Sequence, residues 1–197
     1  MRATLLRRRA KINMSESSPV CTFGSPAPEF DLPGTDGKRY RLGDVRGKNG
    51  LVVMFICNHC PYVKAVRTRL VRDCAELLQH GIGSIAISSN DVADYPEDSF
   101  DIMRQVAEQF AFPFPYVWDE SQATAMAYGA VCTPDFFGFN AGLELQYRGR
   151  LDSSGKSESA GARRELFEAM LQIGKTGRGP TEQIPSIGCS IKWKRDA

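Results

Sequence analysis

Apolar residues follow two different spacings near the middle of the chain, and the change of spacing separates strands from a helix. Residues 51–56, LVVMFI, are apolar without interruption, which indicates a strand covered on both faces. Between positions 63 and 77 apolar residues recur every three or four places, which predicts a helix closed by Gly81. IGSIAIS, residues 82–88, reads as a second buried strand. The order predicts a βαβ unit.

Shorter segments of the same two kinds precede and follow this unit. They predict a hairpin at 29–42, a helix at 95–110, a strand at 114–118, a short helix at 120–130, a hairpin at 135–149 and a last helix at 159–174. Strands and helices in this order are typical of an α/β sandwich built on a mixed sheet, preceded by an N-terminal hairpin.

Length and composition fit one domain with tails. The chain has 197 residues, of which 42% are hydrophobic, and no apolar run reaches the roughly 18 residues of a membrane-spanning helix. The net charge of +2 is unevenly distributed: residues 1–14 carry five basic residues and no acid, which leaves 20 basic against 23 acidic residues elsewhere. We therefore expect neither nucleic acid nor a membrane among the partners.

Three regions follow from these patterns. We expect a basic, disordered arm at 1–19, one domain at 20–175 and a C-terminal tail packed on the surface at 176–197. A targeting role for the arm is the alternative, although Met14 looks like a second possible start. No apolar stretch follows the N-terminal charges as a secretory signal requires, so a reducing, cytoplasmic location is expected.

The candidate chemistry lies in two cysteines, Cys57 and Cys60, between the first buried strand and the helix. A structural zinc site is disfavoured because there is no second Cys-x-x-Cys pair and the only histidines are His59 and His80. An inert, core-filling role suits Cys74, which lies on the apolar stripe of the helix. It does not suit a pair that flanks polar residues at a strand–helix junction.

A redox role has a physical basis at this junction. Unpaired N–H groups at a helix N-terminus stabilise an anion, and a protonated His59 would add positive charge close by. Both effects predict a lowered pKa and a reactive thiolate at Cys57. Cys-x-x-Cys beside a βαβ pattern is also typical of thioredoxin-like redox proteins, so no metal and no other cofactor is expected.

Three segments resemble one known family. Residues 27–61, which end in CNHCP, are similar to the opening of AhpC/TSA-type redoxins of the thioredoxin superfamily. They resemble most the peroxiredoxin-like thioredoxin-family proteins with the motif Cys-Asn-His-Cys-Pro-Tyr-Val. VCTPDFFGFN, from Val131, resembles the segment of that family that holds a Thr–cis-Pro bond, and GCSIKWK near the C-terminus is also similar. The resemblance extends from about residue 20 to 194.

The resemblance implies a thioredoxin-like α/β/α fold and a thiol–disulfide oxidoreductase. Cys57 would be the solvent-facing nucleophile and Cys60 the resolving thiol. Thr133 and a cis Pro134 would present backbone to an extended client chain. Other supporting residues would be Asn58, His59 and Pro61. The implied partners are protein or small-molecule thiols and disulfides, together with an upstream dithiol reductant.

Two positions depart from thioredoxins. Leu51 stands where many thioredoxins bury a proton-relaying aspartate, and Ile56 stands where many have tryptophan. Deprotonation of Cys60 therefore has to rely on another group, which the sequence does not identify.

Two other function classes stay open. A peroxidase would use Cys60, but Cys57 occupies the place of the Thr or Ser hydroxyl, and no arginine stands near Thr133 and Pro134. A redox-inactive binding module on the same fold would have an ordinary Cys57 pKa and no turnover. Cys132 and Cys189 are possible additional thiols: the first fits a buried strand better, and the second is either a mobile redox thiol or packed beside Trp193.

Overall fold

A computed structural model describes residues 15–17, 22–157 and 159–194. The predicted arm lies outside these residues except for its segment 15–17, and so does Cys21. Within the described ranges no helix is both long and apolar enough to cross a membrane.

Ten strands and five α-helices make up the described chain. The strands are β1 (Ser15–Ser17), β2 (Asp31–Pro33), β3 (Arg39–Arg41), β4 (Gly50–Phe55), β5 (Ile82–Ser88), β6 (Tyr116–Trp118), β7 (Cys132–Thr133), β8 (Asp135–Phe139), β9 (Leu145–Gly149) and β10 (Ile187–Ser190). The helices are α1 (Leu42–Val45), α2 (Pro61–Gln79), α3 (Phe100–Gln109), α4 (Ala123–Tyr128) and α5 (Glu165–Thr176).

The central sheet has five strands in the order β6-β5-β4-β8-β9. Strands β4, β5 and β6 run parallel, whereas β8 is antiparallel to both β4 and β9. Successive side chains of a strand point to opposite faces, so β4 sends Val52 and Met54 into one core and Val53 and Phe55 into the other. Helices α2 and α5 supply buried residues to the first core, and α1 and α4 to the second. The predicted α/β/α sandwich with a mixed sheet is confirmed.

The predicted hairpins are also present. Strands β2 and β3 pair around Gly37, where φ is +83°, a conformation that glycine adopts at little steric cost. Strands β8 and β9 pair with a register shift between Gly138 and Phe139.

The prediction of a surface tail is wrong for the segment around Cys189. Strand β10 lies between β1 and β7 in a second, three-stranded sheet, and it pairs antiparallel with both. Cys189 and Ile191 are each only 3% exposed. Burial of these side chains and pairing with β7 hold the segment against the domain.

Candidate active site

Cys57 and Cys60 lie at the junction that the sequence predicts. Strand β4 ends at Phe55, and Cys60 is the N-cap residue of α2. Pro61 takes the first helical position, where its missing N–H costs nothing and its fixed φ suits the helix. The pair therefore sits at the N-terminus of a 19-residue helix.

Both thiols are buried. The exposed fraction is 1% for Cys57 and 0% for Cys60, and both are free thiols. The expectation of a solvent-facing Cys57 is therefore wrong for this conformation, in which no client sulfur can reach the pair without a rearrangement.

Thr133 contacts both sulfurs. Its peptide bond to Pro134 is cis, as the resemblance implies. The Thr133 hydroxyl lies 3.3 Å from the Cys57 Sγ, and the Cys60 thiol can donate to the Thr133 carbonyl oxygen at 3.1 Å. Two residues that are 73 and 76 positions from Thr133 thus meet it at the end of the central sheet.

A buried carboxylate, Asp98, organises the loop that carries Cys57. Its Oδ1 accepts the backbone N–H groups of Asn58 at 2.8 Å and His59 at 3.1 Å. Its Oδ2 lies 2.6 Å from His59 Nδ1 and accepts an N–H of Asn90 at 2.7 Å. Burial raises the pKa of Asp98, but the hydrogen bonds from His59 and Asn90 outweigh it, and the pKa lies below the usual value.

Burial, Cys60 and Asp98 together oppose the predicted ionisation of Cys57. The N–H groups of Asn58 and His59 bind the carboxylate rather than a thiolate, and the ring of His59 pairs with the same acid. Burial, the hydrogen bond to Cys60 and the charge of Asp98 raise the pKa of Cys57, and the Thr133 hydroxyl opposes them only in part. The prediction of a lowered Cys57 pKa is therefore wrong for the reduced, closed structure.

The negative charge of the pair instead favours Cys60. The hydrogen bond from the Cys57 thiol lowers the pKa of Cys60, and the Val63 N–H and the Cys189 thiol and N–H act in the same direction against the cost of burial. The Thr133 carbonyl oxygen favours the protonated form of Cys60, because it can accept a hydrogen bond only from the thiol and not from the thiolate. Because the pKa of Cys60 is lowered and that of Cys57 is raised, the first proton that the pair loses leaves a thiolate on Cys60 and a thiol on Cys57.

A polar network continues behind the pair. The Asn58 side chain donates to the Glu97 carbonyl at 3.1 Å and accepts from the Tyr116 hydroxyl at 3.0 Å. Arg67, 7% exposed, lies close enough for its charge to interact with Tyr116 and Cys57, and its guanidinium lies over the Phe110 ring. The sequence analysis named neither Tyr116 nor Arg67 as part of the site.

Cys57, His59 and Asp98 together offer three potential metal-ligating atoms within 4.8 Å of one another. Two ligands bonded at about 2.1 Å to a tetrahedral ion stand about 3.4 Å apart. His59 Nδ1 and the Asp98 carboxylate are 2.6 Å apart, which is a hydrogen-bond distance. The arrangement therefore fits a histidine–aspartate pair better than a metal site.

The remaining predicted thiols occupy different positions. Cys132 is fully buried, and its Sγ can donate to the Pro134 carbonyl at 3.5 Å. Cys189 contacts Cys60 directly, through both its thiol and its N–H. A largely apolar groove of about 400 Å³ opens beside the cis-proline, between α2 and the segment that leads into β10. Its apolar lining includes Tyr62, Val66, Pro134, Phe136, Ile184 and Ile187.

Paired thiols at a helix N-terminus, a cis-proline beside them and a mixed central sheet define a redoxin of the thioredoxin superfamily. Such proteins are oxidoreductases that work through cysteine chemistry. Comparisons with known proteins agree. Residues 23–152 match the model of the AhpC/TSA family. The chain therefore belongs to the AhpC/TSA family.

Three individual proteins illustrate what this chain is similar to. Thiol-disulfide oxidoreductase ResA of Geobacillus thermodenitrificans is 26% identical over 132 residues, 64% of this chain and 67% of that protein. A crystal structure of an uncharacterised conserved protein from Geobacillus kaustophilus is 45% identical, with a TM-score of 0.87 over 93% of this chain and 98% of that one. The thioredoxin domain of the oxidoreductase BVU-2223 from Bacteroides vulgatus, 16% identical, shares the fold with a TM-score of 0.54 over 66% of this chain and 89% of that one.

Proposed function

We propose that this redoxin exchanges disulfides with a client through a dithiol/disulfide pair formed by Cys57 and Cys60. The observation that supports this best is the contact of both sulfurs with Thr133, the residue before the cis-proline. The 26% identical relative, which is a thiol-disulfide oxidoreductase, supports the same reaction class. The pair lies near an apolar groove that an extended client chain can follow.

The ionisation of the pair suggests how Cys57 becomes a nucleophile. Its thiol hydrogen-bonds to Cys60, so its proton passes to the Cys60 thiolate as the Cys57 sulfur attacks a client disulfide. One client sulfur leaves as a thiolate and takes that proton from Cys60. Cys60 then attacks Cys57, the second client sulfur leaves, and a Cys57–Cys60 disulfide remains. The client gains the two electrons that the protein pair loses.

Regeneration of the dithiol requires an upstream reductant, whose class we propose to be a protein dithiol. The same steps in reverse would oxidise a client dithiol. We still predict a reducing, cytoplasmic compartment, in which the protein would act in the direction that reduces the client disulfide.

Trapping tests this function. In a Cys60→Ser variant the attack on the client should be slower, because Cys60 no longer takes the proton of Cys57, but the mixed disulfide is not resolved. A covalent adduct at Cys57 should therefore accumulate with a peptide disulfide such as insulin. Cys57→Ser should form no adduct and show no turnover, and Cys74→Ala, which removes a buried thiol from α2, should behave as wild type. Adducts formed equally by the Cys57→Ser variant would refute the assignment of the nucleophile.

A peroxidase that uses Cys60 is less well supported. The Thr133 hydroxyl lies against Cys57, whereas Cys60 faces the Thr133 carbonyl and Cys189. Hydroperoxide consumption that survives Cys57→Ser would favour the peroxidase. Absence of both reactions would favour a redox-inactive binding module.

A further inference from the structure

Strand β10 occupies the edge that the cis-proline segment would offer to a client. Its Cys189 is the register partner of Thr133, and Ser190 is the partner of Cys132. The Ile191 N–H donates to the Val131 carbonyl at 3.0 Å and continues the pairing. A segment of the chain itself thus lies antiparallel to β7, with a cysteine at the level of the active pair.

Gly188 fits this edge closely. A Cβ atom built on Gly188 would lie 2.1 Å from the Thr133 carbonyl oxygen and 3.1 Å from the Pro134 nitrogen. No other residue type has so little bulk, so the chain passes the cis peptide at this distance only with glycine. The fit between Gly188 and the Thr133 peptide indicates that β10 is shaped for this position.

Cys189 reaches the active pair from this strand. Its thiol and its N–H both hydrogen-bond to the Cys60 sulfur, and its side chain belongs to the same buried cluster as Cys57 and Cys60. Burial, the hydrogen bond to Cys60 and the charge on Cys60 raise the pKa of Cys189. A Cys57–Cys60 disulfide carries no such charge, so oxidation of the pair removes the last of these causes.

We propose that Cys189 is a third redox thiol, which β10 holds in the position of a client and which takes over the disulfide from the active pair by attack on Cys60. This step rests on the proposed function, because that reaction makes the Cys57–Cys60 disulfide. The Cys189–Cys60 bond forms as the Cys60–Cys57 bond breaks. The proton of Cys189 goes to the departing Cys57 thiolate, and no oxidant or reductant is consumed.

The transfer has a functional consequence. Cys57 returns to its thiol form, while a disulfide now joins Cys60 to Cys189 in β10. The upstream dithiol reductant would then act on a Cys60–Cys189 disulfide, whose second sulfur belongs to the C-terminal strand.

Disulfide mapping of the full-length protein tests this proposal. Reduced wild type and Cys57→Ser are treated with equimolar diamide, blocked with N-ethylmaleimide in acid-quenched denaturant and mapped by peptide mass spectrometry. We expect oxidised wild type to contain a Cys60–Cys189 disulfide in addition to the Cys57–Cys60 disulfide. Oxidised Cys57→Ser should contain the Cys60–Cys189 disulfide and should have lost both of these free thiols. Cys57→Ser/Cys189→Ser should form no intramolecular disulfide, whereas Cys57→Ser/Cys74→Ala should match Cys57→Ser. Circular dichroism of each variant verifies that it is folded.

The outcomes separate this proposal from the proposed function. If wild type forms Cys57–Cys60 and turns over a client, but Cys60 and Cys189 never join in wild type or in Cys57→Ser, the third-thiol proposal is overturned and the exchange function stands. If wild type forms no Cys57–Cys60 disulfide and reduces no client, the proposed function itself fails. A Cys189 that pairs only with Cys132 would also overturn the proposal.

Discussion

Replacement of Gly188 by alanine should detach β10 from the active pair. The added Cβ would stand 2.1 Å from the Thr133 oxygen and 2.6 Å from its carbonyl carbon, both of which are backbone atoms that cannot rotate away. Contacts of a Cβ atom below 3.0 Å are essentially absent from real structures, so the strand has to retreat by roughly 1 Å. Such a retreat weakens the pairing with β7 and the contact between Cys189 and Cys60.

The size of the effect follows from the cost of overpacking. Adding one methyl group to a tightly packed site destabilises it by about 1–3 kcal/mol. If that cost falls on the docking of β10, the population with the strand detached rises about 5- to 150-fold, because every 1.4 kcal/mol changes a population tenfold. The rest of the domain keeps its central sheet and both cores.

Alkylation of individual thiols measures this population. Cys60 is 0% exposed and contacts Cys189, so iodoacetamide reaches it through openings that release β10. Its labelling rate, followed by peptide mass spectrometry, should rise by the same 5- to 150-fold as about 1–3 kcal/mol of docking free energy is lost. Cys74, buried in α2 against the hydroxyl of Ser84, reports global unfolding in the same molecule and should label at an unchanged rate.

Two controls make the experiment decisive. Gly43→Ala adds a Cβ where no atom lies within 4 Å, so it should leave both labelling rates unchanged. An unchanged Cys60 rate in Gly188→Ala would show that β10 does not shield the pair. A parallel rise at Cys60 and Cys74 would show global destabilisation and would equally refute the reasoning.

Three further variants test the environment of the site. The lowered pKa of Asp98 means that its ionised form stabilises the fold above the unfolded-state pKa of about 3.9, and that this stabilisation is lost as pH falls through the folded-state pKa. As the pH is lowered from 7 through the folded-state pKa, the free energy of unfolding measured by urea titration should therefore fall less for Asp98→Asn than for wild type. An equal fall in the two proteins would contradict this. Thr133→Val removes a group that lowers the Cys57 pKa, so the pH profile of client reduction should move to higher pH. Arg148→Met removes the guanidinium 3.0 Å from buried Asp135 and should cost about 3–5 kcal/mol by denaturant unfolding, largely recovered when Asp135→Asn is added.

The strand–helix–strand unit could be predicted from sequence because its signals are local. The run at 51–56 and the periodic residues after Cys60 each determine one element within a short window, and the structure places them as β4 and α2. The position of the thiol pair at the helix start followed directly. These features are determined by residues that are close together in the sequence, so one sequence is enough to predict them.

The environment of the pair could not be predicted because it depends on distant partners. Asp98 reads as a first-turn acid of the helix predicted at 95–110, but it ends a 3₁₀ turn and binds residues 39 and 40 positions away. Burial, the hydrogen bond to Cys60 and the charge of Asp98 together raise the Cys57 pKa, and neither the burial nor the position of Asp98 can be read from the residues next to Cys57. Strand β10 is four residues long and contains a glycine, and its stability comes from pairing with β7 rather than from its own propensity.

Because β10 occupies the cis-proline edge, client reduction and formation of the Cys60–Cys189 disulfide should compete with each other. A client that pairs with Thr133 competes with Cys189 for the same backbone, so its apparent affinity is proportional to the fraction of molecules in which the strand is detached. Gly188→Ala raises that fraction and should therefore speed the reduction of a peptide disulfide. The same variant moves Cys189 away from Cys60 and should lower the yield of the Cys60–Cys189 disulfide. Opposite changes in the two measurements follow only if β10 and the client share one site, and a parallel fall in both would contradict it.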